Sequence, residues 1–125
     1  MTTNRSESKV LHADLSYKLV GLCFDIHNEL GQFAREKQYA HLLEQRLKAT
    51  GMDYRRELRI GDTGNIIDFL IEDKIVLELK TTRLINRTHY RQLQNYLEHS
   101  KIRLGILVNF SDKYLRPKRV LRADL

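Results

Sequence analysis

The chain carries a single cysteine, Cys23, so no disulfide can form within it, and the apolar neighbours Leu22 and Phe24 mark it as a packed thiol. A reducing, cytoplasmic setting is expected. Long hydrophobic runs are missing too: no stretch approaches the roughly 18 apolar residues of a membrane span. Residues 1–9 are polar and lack the apolar run of a signal peptide. Neither membrane insertion nor secretion is therefore expected, and residues 1–10 read as a flexible leader. The five histidines show no H-x-x-x-H or cysteine-paired spacing, which argues against zinc. Neither a Gly-rich phosphate loop nor a serine elbow occurs, and there are no repeats or low-complexity tracts.

What remains is 125 residues, 42% hydrophobic and 30% charged, which suits one globular domain over residues 11–125. The 22 Lys and Arg against 16 Asp and Glu leave a formal charge of +6. That balance fits a phosphate-backbone partner better than an acidic small molecule, although a mildly cationic surface with no such partner has the same balance.

Leu15, Leu19, Leu22, Ile26 and Leu30 recur at spacings of three and four, predicting a helix from about Asp14 to Leu30 that Gly31 can stop. Tyr39, Leu43 and Leu47 form the stripe of a second helix, from about Phe33 to Ala49, ended by Gly51. Short segments rich in Ile, Leu, Val and Phe then read as strands: Tyr54 to Ile60, Asn65 to Ile71, Lys74 to Lys80 and Leu104 to Phe110. The breaks at residues 61–64 and 72–74 are short enough for hairpins, so the first three strands form an antiparallel meander. Tyr90, Leu93, Tyr96 and Leu97 return to helical spacing between Asn86 and Ser100, a crossover that permits a parallel strand after it. In the tail, Pro117 excludes a helix interior, and an edge strand is expected near Lys118 to Arg122.

Period-two alternation places Ile75, Leu77 and Leu79 on one face of the third strand and Val76, Glu78 and Lys80 on the other. The second strand divides into Ile67, Phe69, Ile71 and Ile66, Asp68, Leu70. Superposing the two apolar faces pairs Ile71 with Ile75, Phe69 with Leu77 and Ile67 with Leu79, across a three-residue loop, and sets Asp68 opposite Glu78. A two-residue turn at Glu72-Asp73 would instead turn Asp68 to the wrong side.

Like charges facing each other across strands repel unless a cation lies between them. A hard divalent ion, Mg²⁺ (or Mn²⁺), needs only one or two carboxylates and keeps the rest of its sphere for water and phosphate. Lys80, beside the pair, suits the orientation of an attacking water or the neutralisation of charge on phosphorus. The bland alternative is a solvated face of ordinary exposed pairs. Glu36 falls on the Tyr39–Leu43–Leu47 stripe and should point inward or along the sheet, the alternative being a first-turn glutamate favoured by the helix dipole. Gln92 and Tyr96, four apart, share a helix face, where a surface amide and a core aromatic are the ordinary occupants.

The Asp68 to Glu78-Leu79-Lys80 arrangement on a hairpin resembles the site of the PD-(D/E)XK nuclease superfamily, whose core runs helix, three strands, helix, strand. More narrowly, Leu15 to Arg119 resembles the small GxxExxY family, through Asn28-Glu29-Leu30-Gly31, Glu36, Tyr39, Asp68, Glu78-Leu79-Lys80, Gln92, Tyr96, Leu104-Gly105 and Asn109-Phe110. Phe33 stands where that motif has glycine, and Ile67 where the superfamily often has proline.

The resemblance implies an α/β, restriction-endonuclease-like three-layer core and metal-dependent hydrolysis of nucleic-acid phosphodiester bonds, DNA rather than RNA. Asp68, Glu78 and the Leu79 carbonyl would bind Mg²⁺ or Mn²⁺. Glu36, Lys80, Gln92 and Tyr96 would complete the catalytic set, the last two as a Q-x-x-x-Y element. Arg55, Arg56, Arg59, Lys118, Arg119 and Arg122 would follow phosphates. A rival reading keeps the fold as an inactive nucleic-acid- or protein-binding module, and a homodimer or a partner protein would supply the recognition surface that so short a chain lacks.

Overall fold

A computed structural model describes residues 10–59, 61 and 64–123. The expected leader, but for Val10, lies outside the described residues, as do Ile60 at the end of the first expected strand and two residues of the turn after it. Helix α1 spans Ala13–Leu30 and α2 spans Glu36–Thr50. Strands β1 (Tyr54–Arg59), β2 (Ile66–Ile71) and β3 (Ile75–Lys80) follow. Helix α3 (Arg87–Ser100) then leads to β4 (Leu104–Asn109) and β5 (Lys118–Leu121).

Each helix ends where its sequence lets it. Gly51 takes the left-handed conformation, φ 76°, that caps α2 without a Cβ penalty. Asn86 caps α3 by accepting from the His89 N–H at 3.2 Å, and the Asn86 N–H in turn donates to His89 Nδ1 at 3.1 Å.

The five strands lie in chain order, β1 to β5, antiparallel except for the β3–β4 pair. Helices α1 and α2 cover one face, where Leu19, Cys23, Ile26, Tyr39, Leu43 and Leu47 pack on Phe69, Leu77, Leu79 and Ile106. Helix α3 covers the other, laying Leu93, Tyr96 and Leu97 on Leu70, Val76, Leu107 and Val120. The result is the expected three-layer α/β/α stack. Cys23 is fully buried in the first layer, and burial pushes its thiol up to about 12, which makes it an inert packing group.

The β2–β3 register is Phe69↔Leu77, Leu70↔Val76 and Ile71↔Ile75. Glu72 and Asp73 both take φ 54°, the Lys74 N–H donates to the Ile71 carbonyl at 2.9 Å, and Lys74 is the extra residue that makes the loop three long. The register derived from apolar parity therefore holds as far as Phe69 and Leu77.

One residue departs from that parity. Ile67 packs in the α3-side cluster together with Leu70, and so is not on the face of Phe69 and Leu79. The cause lies across the ladder: Glu57 takes φ 54°, its pairing with Asp68 is missing from an otherwise continuous β1–β2 register, and Leu58 turns with Ile67 toward α3. A left-handed residue interrupts the pleat, so side chains on either side of it no longer keep to one face.

Candidate active site

The β2–β3 ladder stops at Phe69↔Leu77, one step short of Asp68 and Glu78. There the two carboxylates replace the ladder. Asp68 Oδ2 accepts the Leu79 N–H at 2.7 Å, and Glu78 Oε1 accepts the Asp68 N–H at 2.7 Å. Each side chain thus satisfies a main-chain donor on or beside its partner's strand, and both acids are held in the gap between the strands. The other Glu78 oxygen, Oε2, faces Lys80 Nζ at 3.8 Å, with only 13% of the Glu78 side chain and 23% of that of Lys80 exposed.

Burial pushes the Asp68 carboxyl up to about 6, with the charge of Glu36 adding to it, while the Leu79 N–H, Lys80 and Arg56 pull it back. Glu78 is pushed further, to about 8, first by burial and then by the negative charge of Asp68. These are two carboxylates that resist being ionised together, the condition that a bound cation relieves.

Glu36 opens α2 as an exposed residue, which corrects the expectation that it points inward: the buried stripe begins at Tyr39. Glu36 lies on that stripe but almost a full turn ahead of Tyr39, beyond the packed surface, yet its charge raises both Asp68 and Glu78. The pair on α3 also divides. Gln92 is exposed and lines a cleft of about 280 Å³ with Glu78, Lys80, Asn65 and Ile67. Tyr96 is 5% exposed and belongs to the α3-side core, the ordinary place for an aromatic at that spacing.

The six cations expected to follow phosphates do not form one surface. Arg55 pairs with Asp73 at 2.6 Å, and Arg56 pairs with Glu44 at 2.9 Å while lying over the Phe69 ring. Arg119 donates to Ser16 Oγ at 2.7 Å and to the Leu11 carbonyl at 2.8 Å, so it ties β5 to α1. Arg56 and Arg119 are structural because alternation along β1 and β5 turns them toward the α1–α2 layer. Arg59 and Lys118 remain exposed, and Arg122 is half-buried beyond the end of β5.

Two residues near Lys80 were given no role in the sequence reading. His89, fixed on the Asn86 cap, is held below its usual range by burial and by the Lys80 ammonium. Its place as the third residue of α3 was the available signal. Asn109 is 4% exposed, accepts the Thr82 N–H at 3.1 Å and donates to the Thr82 carbonyl at 2.7 Å, clasping the segment that leaves Lys80. Nothing local in sequence marks that clasp, which depends on parallel pairing of Lys80 with Asn109.

Among the described residues no group of three or more His, Cys, Asp and Glu converges as a metal-ligand set. Two carboxylates without nitrogen or sulfur donors suit a hard, largely hydrated cation such as Mg²⁺ and not zinc. No helix among the described residues is long and apolar enough to cross a membrane.

Comparison with curated proteins finds no match. The family model of the PD-(D/E)XK nuclease superfamily matches residues 13–122, from the first residue of α1 to just past β5. The matched span holds the whole three-layer core, which is consistent with the restriction-endonuclease-like fold, and the Asp68/Glu78-Leu79-Lys80 hairpin. Nucleases of this superfamily act on nucleic acid and typically use divalent metals. The chain belongs to the PD-(D/E)XK nuclease superfamily.

Proposed function

We propose that the protein is a cytoplasmic, divalent-metal-dependent nuclease of the GxxExxY type, hydrolysing phosphodiester bonds of DNA in preference to RNA. The observation that carries this reading is the reciprocal pair Asp68 and Glu78, buried where their strands part, with Lys80 beside them on an open cleft. Asp68, Glu78 and the Leu79 carbonyl would hold Mg²⁺ or Mn²⁺, which when bound supplies positive charge to acidify water and stabilise the charge developing on phosphorus.

The chain's own groups do the rest. Lys80 donates toward the attacking water or a phosphate oxygen; as the water oxygen bonds to phosphorus it gives a proton to solvent, and the P–O ester bond breaks with the leaving oxygen taking a proton from solvent. Gln92 holds the strand at the cleft mouth. Glu36 adds negative charge that strengthens cation binding, and Tyr96 acts from the core by fixing α3. Arg59, Lys118 and Arg122 contribute salt-dependent contacts, and Arg55 joins them where its exposed pair with Asp73 opens.

The test is cleavage of mixed DNA and RNA substrates with and without Mg²⁺ or Mn²⁺, with Asp68→Ala as control. Metal-dependent cutting lost in the variant supports the reading. A second reading, a binding module without catalysis, draws on the formal charge of +6, which suits a phosphate-backbone partner with or without chemistry. It predicts nucleic-acid binding indifferent to Mg²⁺ and no cutting by the wild type.

A further inference from the structure

Helix α3 has a cleft on each side of its N-terminal half. One is the Glu78–Lys80–Gln92 cleft. The other, about 230 Å³, is lined by Arg83, Tyr90, Leu107, Asn109, Arg116 and Lys118, together with Leu84, Ile85 and Asp112. Both lie on the α3 face of the sheet, since Ile67 and Leu93 in the first and Tyr90 and Leu107 in the second pack in the same cluster. The segment after Lys80 links them, with Arg83 three residues on.

Three cations meet in this second cleft, and none of them is in an ion pair among the described residues. Four other arginines are engaged: Arg46 pairs with Glu29, Arg55 with Asp73, Arg56 with Glu44, and Arg119 is bonded to Ser16 and Leu11. The one carboxylate in the lining, Asp112, accepts from Asn109 Nδ2 at 3.3 Å. Asn109 also clasps Thr82, so the floor beneath Arg83 is braced by β4 and does not need the ligand to shape it. Two guanidinium groups and an ammonium lining one concave surface offer the charge and the donors that phosphodiester oxygens accept.

We infer that the Arg83–Arg116–Lys118 cleft binds backbone phosphates of the nucleic-acid strand whose scissile bond lies at Lys80. This rests on the nuclease reading for the position of the bond and not for the binding itself. Three residues of chain span at most about 11 Å. With one charge per ~3.4 Å along a strand, a phosphate held at Arg83 lies within about three nucleotides of the scissile one.

The experiment measures binding of a fluorescent 12-nucleotide single strand and a 12-base-pair duplex across a salt series, with chelator and no divalent metal. Arg83→Gln/Lys118→Gln is compared with Lys18→Gln/Lys48→Gln, which removes the same charge from exposed positions on the opposite helical layer. The expected result is a fall in salt slope of about 1.4 to 1.8 for the first double variant and none for the second. Restoration is expected in the charge-conserving Arg83→Lys/Lys118→Arg, and a slope loss of about 0.7 to 0.9 in Arg116→Gln alone. Equal slopes in the two neutral doubles, or a wild type that binds neither probe, overturn the inference. A wild type that shows the expected slopes but cuts nothing with Mg²⁺ or Mn²⁺ supports the cleft and removes the nuclease reading. The two can therefore fail separately.

Discussion

Asp68 and Glu78 each stand in for a missing rung of the sheet: the Asp68 carboxylate takes the Leu79 N–H, and the Glu78 carboxylate takes the N–H of Asp68 itself. Their main-chain donors stay satisfied although the ladder has opened, and an opened ladder is what lets two acids approach from facing strands. Isosteric amides keep these acceptors.

Asp68→Asn and Glu78→Gln are accordingly expected to fold and to lose metal-dependent cleavage by at least a hundredfold. Either change also removes one of two crowded charges, so stability at pH 8 without metal should rise by about 1 to 2 kcal/mol. Cleavage assays and urea unfolding on the same preparations check both. A variant that cuts at the wild-type rate with Mg²⁺ refutes the assignment.

The pH dependence has a definite sign. Both acids are raised in the folded state, so the native protein holds protons that the unfolded chain releases, and this contribution to stability is fully present below pH 4. It is lost through about pH 6 for Asp68 and about pH 8 for Glu78. Metal-free protein should therefore lose stability on the order of a few kcal/mol between pH 5 and pH 8. Mg²⁺ should restore it at the upper end, and Glu78→Gln should flatten the profile.

Lys80 and Arg119 should separate cleanly. Lys80→Ala removes a charge beside the reacting centre and should lower the single-turnover rate by a hundredfold or more, with binding changed severalfold at most. Arg119→Ala removes two hydrogen bonds between β5 and α1 and should cost about 1 to 2 kcal/mol of stability while leaving the salt slope of binding unchanged. A slope loss for Arg119→Ala would place it back among the phosphate contacts.

At Gly105 the Leu93 side chain of α3 packs directly on the backbone of β4. A Cβ there would lie 2.8 to 2.9 Å from the Leu93 side chain, which is itself 2% exposed. Gly105→Ala should destabilise by about 1 to 3 kcal/mol and disturb the cleft that Gln92 lines. Because the clash is with one side chain, Gly105→Ala/Leu93→Ala should cost less than the sum of the two single changes.

The carboxylate pair was legible because two constraints converged on it: apolar parity of Phe69, Ile71, Ile75 and Leu77, and the length of the 72–74 loop. The turn of Ile67 to the other face was not, since it depends on a left-handed φ at Glu57, a residue type that carries no signal for one. Helix α3 was legible from its stripe, but the roles within it were not: spacing puts Gln92 and Tyr96 on one side, and only docking decides that one borders a cleft and the other fills a core. Lys118 and Arg119 look alike in a basic tail. A strand period of two sends the first to a cleft and the second to the N-terminus of α1.

Strand order carries a last consequence, for the sequence of assembly. Every strand pairs with its neighbour in the chain, and residues 81–103 form the single long crossover between paired strands that enters a helix. Loop closure costs least for the three-residue turn, and hairpins close in microseconds, well before a crossover of that length is docked. As the chain is made from its N-terminus, the hairpin bearing Asp68 and Glu78 is complete before α3 and β4 exist to cover it. The acids therefore meet first in water, where their repulsion is weak, and acquire their raised affinity for protons and cations only when the third layer closes. Pulse-labelling hydrogen exchange reads this order as protection of Phe69 and Leu77, whose N–H groups face each other's strands, ahead of Ile106.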